Sequence, residues 1–201
     1  MNKKSTEEKI LQAAETEFIE NGFKGARMQA IADRAGINKA LLHYYFRTKE
    51  KLFEVIFRTV FKFFVPKMFN VFEREDLDIF EKIRIFVSEY INLIVKNPHI
   101  PGFIIHELSS KKSNIGKLFA EQNIDVDLFI RLINSEIEKG TIKDIMPEQL
   151  IINIIALSVF PVIAAPIATG VLFDGDEKKY QALLKERDKH VADFIINSIK
   201  A

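Results

Sequence analysis

Apolar residues along this chain recur at steps of three and four, and no long segment alternates with the period of two that a half-buried strand requires. The pattern predicts an all-α fold of about nine helices. The first opens at Ser5-Thr6-Glu7-Glu8, where Ser5 can accept the Glu8 amide and Glu8 can return to the Ser5 amide. Ile10, Leu11, Ala14 and Phe18 then make an apolar stripe, and Asn21-Gly22 stops it. A short second helix turns Met28, Ile31, Ala32 and Ala35 inward and ends at Gly36. Asn38 can cap a third helix running through Arg47, and Thr48 a fourth. In the fourth, Phe53, Phe57, Phe61 and Phe64 share a stripe, and Pro66 is expected to end or kink it. Further helices are predicted near 76–96, 99–110, 115–139, 147–170 and 176–199, separated by Asn97-Pro98, Ser113-Asn114, Gly140 and Asp174-Gly175.

Composition narrows the class. With 48% hydrophobic and 28% charged residues over 201 positions and no low-complexity run, the chain should fold, as one domain or as a small module followed by a larger one. It has no cysteine, which removes disulfides, thiolate zinc sites and a cysteine nucleophile and fits a cytoplasmic protein. The opening MNKKSTEEKILQAAETEF acquires glutamates before any apolar run and does not read as a signal peptide. Residues 1–62 hold 12 Lys/Arg against 8 Asp/Glu, while the remainder holds 17 against 20, so a polyanion would be met by the N-terminal third. Leu150–Phe173 carries no charge over 24 residues, long enough to span a bilayer. Pro161, Pro166, Asn153 and Ser158 within it, and the lack of a flanking basic cluster, favour a helix buried in a core or subunit interface instead.

The candidate chemistry lies early. Met28–Ala35, the turn Gly36-Ile37 and Asn38–Phe46 have the lengths of a helix-turn-helix, whose second helix can enter a DNA major groove. Along that second helix Leu42, Tyr45 and Phe46 can be placed inward, with Lys39, Ala40, His43 and Tyr44 on or near the outer side. Leu41 could touch a thymine methyl or could be packed, and packing is the commoner fate of leucine.

The stretch ILQAAETEFIENGFKGARMQAIADRAGINKALLHYYFRTKEKLFEVI closely resembles the DNA-binding domain of TetR-type transcriptional regulators. The matching parts are Ala13-Ala14 and Phe18, Gly22-Phe23, Ile31-Ala32, Ala35-Gly36-Ile37, Leu42, Tyr45-Phe46, Lys49-Glu50 and Leu52. The rest of the chain resembles that family only in length, helicity and order. The resemblance implies a DNA-binding domain over 1–48 and a ligand-sensing, dimerising helical body over 49–201, linked by the helix that starts at 49. It also implies that the helix at Asn38–Phe46 reads DNA, with Asn38, Lys39, Ala40, Leu41, His43, Tyr44 and Tyr45 at or near it. Lys49 would contact the backbone, as would Arg27 and Gln29 at the start of the second helix. Two departures stand out. Ala26-Arg27 occupies a place where the family often has a hydroxyl, so a cap is missing and a cation gained, and His43 replaces a common tyrosine.

In the body, Phe57, Phe61, Phe64, Phe86, Tyr90, Phe103, His106, Glu107, Phe129 and Ile133 can line a cavity or simply pack a core. The resemblance implies that some surround a small apolar or amphipathic effector. It further implies that helices near 150–170 and 176–199 pair with their copies in a homodimer, which would account for the uncharged stretch and present two reading helices to a palindromic operator. Repression relieved by the effector is the implied default. Two other classes stay open: a helical interaction protein without DNA binding, and an enzyme. Against the latter, the histidines at 43, 99, 106 and 190 form no HExxH, and no GxSxG or phosphate loop occurs, so no catalytic, metal or cofactor site is expected.

Overall fold

The computed structural model describes residues 5–98, 100–108 and 115–201, and the side chains of Phe103, His106 and Glu107 lie outside the described residues. Eleven α-helices follow in order: α1 Thr6–Gly25, α2 Met28–Ala35, α3 Lys39–Tyr45, α4 Lys49–Phe69, α5 Ile79–Lys96, α6 Ile100–Leu108, α7 Ile115–Glu121, α8 Val126–Glu138, α9 Pro147–Ile163, α10 Ala165–Leu172 and α11 Glu177–Ile199. A 3-10 turn, Asn70–Glu73, follows α4. Among the described residues there is no strand, only a bridge between Ile142 and Lys200.

The helix count exceeds the expected nine because two long helices are broken. The segment expected at 115–139 is interrupted after Glu121, where Asn123 takes φ +53° and Asp125 caps a new helix by accepting the Leu128 amide at 3.1 Å. The segment expected at 147–170 turns at Ala164, where the axis bends by 73°. Pro166 cannot offer an amide to the carbonyl of Val162, so the first helix ends there and a second starts. Pro66, by contrast, does not stop α4, which continues to Phe69 with Met68 buried. The carbonyl this proline strands belongs to exposed Lys62, where water can reach it. The Ser5–Glu8 capping box forms as expected, and Gly22, at φ +63° and ψ 170°, interrupts the helical geometry of α1.

The described residues divide into two compact units, 5–63 with 102–108 in the first and 64–98, 100–101 and 115–201 in the second, so that one break falls within α4 between Phe63 and Phe64. In the first, α1 packs on α2 and α2 on α3 around Ile10, Ala14, Ile31, Leu42 and Leu52, all fully buried. Each isoleucine and leucine among them contributes roughly 1.5–3 kcal/mol on leaving water. Phe53 meets two rings edge to face, Phe18 at 5.4 Å and Phe23 at 5.1 Å, and Phe18 and Phe23 stack on each other at 5.9 Å.

The second unit is organised by α5, which packs against α9 and α11 over Ile83, Val87, Ile94, Ile154, Val191 and Ile195. Phe72 lies 5.2 Å from Phe86 and 5.1 Å from Phe129, and Phe69 is 5.7 Å from Phe119. No single helix among the described residues is long and apolar enough to cross a membrane. Among the described residues only α9 and α10 taken together meet both conditions, and they are the pair bent by 73°.

Candidate nucleic-acid interface

The exposure of α3 follows from seven residues having one anchor. Leu42 is the only residue of Lys39–Tyr45 that is buried, at 0% exposure, and Phe46, at the C-cap, is the second anchor at 7%. With two side chains holding the helix, the remaining surface of α3 faces solvent: Lys39, Ala40, Leu41, His43, Tyr44 and Tyr45 are all exposed. Asn38 caps the first turn by accepting the Leu41 amide at 2.8 Å.

The turn before it is set by glycine. Gly36 closes α2 in the left-handed conformation, φ +69°, and its amide returns to the carbonyls of Ala32 and Asp33. The Ile37 amide also reaches the Ala32 carbonyl, at 3.0 Å. This tight double closure sets the angle at which α3 leaves α2.

Three sequence expectations change in detail. Tyr45, expected inward, is 41% exposed and stands edge-on to Tyr44 with ring centres 5.7 Å apart. Seven residues make barely two turns, so one face fits only a single inward position, and Leu42 fills it. Leu41 is 37% exposed and points away from the core rather than packing, for the same reason. Lys49 is not free at the surface: its Nζ donates to the carbonyls of Ala26 at 3.0 Å and Lys24 at 3.4 Å and sits 4.7 Å above the Phe23 ring. An ammonium near the carbonyl end of a helix and over an aromatic face is doubly favoured, so it is drawn to the end of α1.

Other members are arranged for contact. His43 Nδ1 donates to the Arg47 carbonyl at 3.1 Å; because a carbonyl only accepts, Nδ1 carries the hydrogen and Nε2 is the atom left outward. Tyr44 is the most exposed large side chain of the helix, at 82%. Gln29 is tied along its own helix to Asp33 at 2.8 Å, whereas Arg27 is exposed at the α2 N-cap, which no side chain caps.

Two groups here carried no expectation from sequence. Glu17, on α1, is 4% exposed and accepts the Arg27 amide at 3.3 Å. Arg34, on α2, lies 3.6 Å from Glu17 and 2.6 Å from Glu20, whose carboxylates hold its pKa above the usual arginine value. The signal was present, since Glu17 falls in the stripe of Ile10, Ala14 and Phe18, and a charge in an apolar stripe marks a paired group.

Of the ten residues proposed from sequence to line an effector cavity, seven have described side chains, and these divide between the two units. Phe57 and Phe61 pack in the first unit, Phe57 stacking on Phe53 at 6.4 Å. Phe86, Tyr90, Phe129 and Ile133 belong to the packed core of the second, with Phe64 half-buried at its start. Phe103, His106 and Glu107 lie outside the described residues. In the second unit burial pushes the Tyr90 phenol up to about 12.

One concave surface is formed by α9, α11 and the loop before them. Ile145, Met146, Leu150, Phe160, Phe194 and Ile195 line an open groove of about 720 Å³, with Gln149, Asn153 and Arg187 also on its wall. Phe160 and Phe194 stand 68% and 58% exposed beside it, and Ile152 and Ile163 also reach solvent from α9. A contiguous apolar surface of this kind is unusual on a chain that functions alone.

Comparison with known proteins gives a consistent answer. Residues 10–56 match the family model described as bacterial regulatory proteins, tetR family. The HTH-type transcriptional regulator RutR of Escherichia coli K12 is 27% identical over 146 residues, 72% of this chain and 68% of that protein. The fatty acid metabolism regulator protein of Bacillus subtilis strain 168 is 22% identical over 165 residues, 82% of this chain and 83% of its own length. Among solved structures, HlyIIR, a hemolysin II transcriptional regulator, aligns over 98% of this chain and 97% of its own with a TM-score of 0.66 at 21% identity, a likeness of fold.

Proposed function

The chain belongs to the tetR family of bacterial regulatory proteins, and from that premise we propose that it works as a dimeric repressor whose α3 enters the major groove of a palindromic operator and whose second unit answers to a small effector. The observation that carries this reading is the exposure of Lys39, His43 and Tyr44 on a helix held by Leu42 and Phe46 alone. A groove about 12 Å wide admits one helix, and this one presents a cation, an imidazole and a phenol to it. Arg27 and Gln29 at the start of α2 and the Asn38 end of α3 would meet phosphate, while Ala40, Leu41 and Tyr45 complete the contacting surface. Lys49 acts mainly by holding the start of α4 to the end of α1, with its third donor left for phosphate.

The homodimer is supported by the apolar surface of α9 and α11, where Phe160 and Phe194 flank a groove that a second copy of the same surface can fill. The effector reading is supported by the aromatic interior of the second unit. The rings of Phe72, Phe86 and Phe129 already touch, so an apolar or amphipathic effector must part them to enter, and doing so favours one shape of the unit over another. Because α4 belongs to both units, it is the segment through which such a change would be passed to the reading helix. Effector and operator then each weaken binding of the other.

The test is binding of the purified protein to DNA fragments from upstream of its own gene, titrated over salt. Specific binding should fall steeply as salt rises, and Lys39→Ala should weaken it and lower the salt slope by about one. Lys39 is preferred to Lys49 for this purpose, because losing Lys49 would also loosen the domain. Failure to bind any genomic fragment specifically, with or without apolar compounds, would overturn the reading.

A further inference from the structure

A carboxylate has no reason to lie in an apolar stripe unless its oxygens are used. Glu17 is 4% exposed among Ile10, Ala13, Ala14 and Phe18, so its two oxygens have lost water and need partners within the protein. They find them on α2. Oε1 accepts the backbone amide of Arg27 at 3.3 Å, and Oε2 lies 3.6 Å from the Arg34 guanidinium.

Arg34 does not explain the placement. Its closer partner is Glu20, which grips it with both oxygens at 2.6 and 3.3 Å from the protein surface. The shorter contact of Glu17 is to Arg27, a residue in extended conformation, φ −119° and ψ 131°, at the N-cap of α2. No side chain caps that helix, so nothing from Arg27 itself fixes how it enters the first turn. A hydroxyl at the N-cap would secure the entry by accepting an amide one or two residues into the helix, and so would occupy one of the donors that point outward. Glu17 secures it from beneath, through the N-cap amide, and leaves the amides of Met28, Gln29 and Ala30 uncapped.

We propose that Glu17 is a positioning residue of the DNA-binding surface: it fixes the Arg27 backbone from inside the domain so that the exposed guanidinium is presented to a DNA phosphate. The inference rests on the DNA-binding reading above. Glu17 touches no DNA, and its effect passes through Arg27.

The experiment is a double-mutant cycle on full-length protein, using the upstream DNA fragment bound by the wild type. Glu17→Met keeps the volume and removes both oxygens; Glu17→Gln keeps an oxygen for the Arg27 amide. Glu17→Met should weaken binding about tenfold and lower the salt slope by about one, as Arg27→Ala should, and Glu17→Gln should recover most of the affinity. In the Arg27→Ala background, Glu17→Met should change affinity less than twofold. A Glu17→Met protein with an unchanged melting profile that binds as the wild type does, or losses that simply add in the cycle, would overturn the inference. Absence of binding by the wild type would instead strike the DNA-binding reading. Should Glu17→Met fail to fold, hydrogen exchange of the Arg27 amide in the wild type decides: it should be slowed as a bonded amide is, and exchange at the rate of a free amide would overturn the inference.

Discussion

Arg187 donates through Nη2 to the carbonyl of Leu157 at 2.9 Å, from α11 to α9. That carbonyl is the one Pro161 cannot serve, because proline has no amide to return four residues back. The next breach is closed in the same manner, the Tyr180 hydroxyl donating to the Pro161 carbonyl. Two side chains of α11 thus complete the hydrogen bonding of a helix interrupted by proline. Burial lowers the Arg187 pKa from its ordinary value, and its Nε is buried without a partner, so the guanidinium is held there at some cost.

Arg187→Met should therefore destabilise the fold by about 1–3 kcal/mol, since it orphans the Leu157 carbonyl. In a Pro161→Ala background the helix supplies its own amide, and the loss should shrink to under about 1 kcal/mol. Urea unfolding of the four proteins measures both; equal losses in the two backgrounds would mean that Arg187 acts elsewhere.

Placing a charge on the exposed apolar surface tests the dimer. Phe194→Glu leaves a side chain that is 58% exposed in the single chain and should not disturb helicity. Sedimentation should show a monomer, and operator affinity should drop on the order of a hundredfold or more, because two half-sites are no longer engaged together. A Phe194→Glu dimer of wild-type affinity would place the subunit contact on another surface.

Gly36 sits at φ +69° between the two short helices of the first unit. A Cβ there meets nothing within 4 Å, so the penalty of Gly36→Ala is one of backbone strain alone, about 1 kcal/mol. Thermal melting should register that loss, and DNA binding should weaken further if the angle of α3 shifts. An unchanged melting temperature would show that the turn tolerates another conformation.

Tyr90 predicts a pH dependence with a definite sign. Its phenol is raised by burial to about 12 in the folded protein, against about 10 when unfolded, so the neutral form is favoured by folding. The stabilisation is complete below pH 10 and falls away as pH climbs from about 10 to 12, where the unfolded chain releases a proton that the folded one keeps. Stability of the wild type should fall by up to about 3 kcal/mol more than that of Tyr90→Phe across this window. Parallel curves for the two proteins would place the Tyr90 hydroxyl in contact with water.

Much of this protein was readable from local pattern. Capping at Ser5, Asn38 and Thr48 and the glycine stop at 36 depend on residues within one or two turns, and near neighbours in sequence are near neighbours in space, whereas α1 runs past the expected stop at Gly22 to Gly25 and α3 ends at Tyr45, short of the expected Arg47. Lys39, His43 and Tyr44 were assigned outward from helical period, and they are exposed. The limits of that reading lie where period stops being informative. A seven-residue helix has room for one inward side chain, so the choice among Leu42, Tyr45 and Leu41 was made by the surface it packs on, that of α2 above all.

Tertiary structure alone decided the rest. Whether proline breaks a helix depends on who receives the stranded carbonyl: water can at Lys62, so α4 runs on past Pro66, and Arg187 does at Leu157, so α9 runs past Pro161. No window of sequence shows a partner thirty residues away. Lys49 was drawn from the DNA side toward the end of α1 by carbonyls and a ring more than twenty residues distant, and Glu17 found its use in the amide of Arg27. Sequence by itself determined the helices, the outward face of α3 and the likeness to the tetR family, because these rest on local spacing and residue type. Which charged groups stand free for a partner and which are consumed in holding the fold was decided only by long-range packing, since a hydrogen bond to a distant backbone atom leaves no periodic trace in the chain.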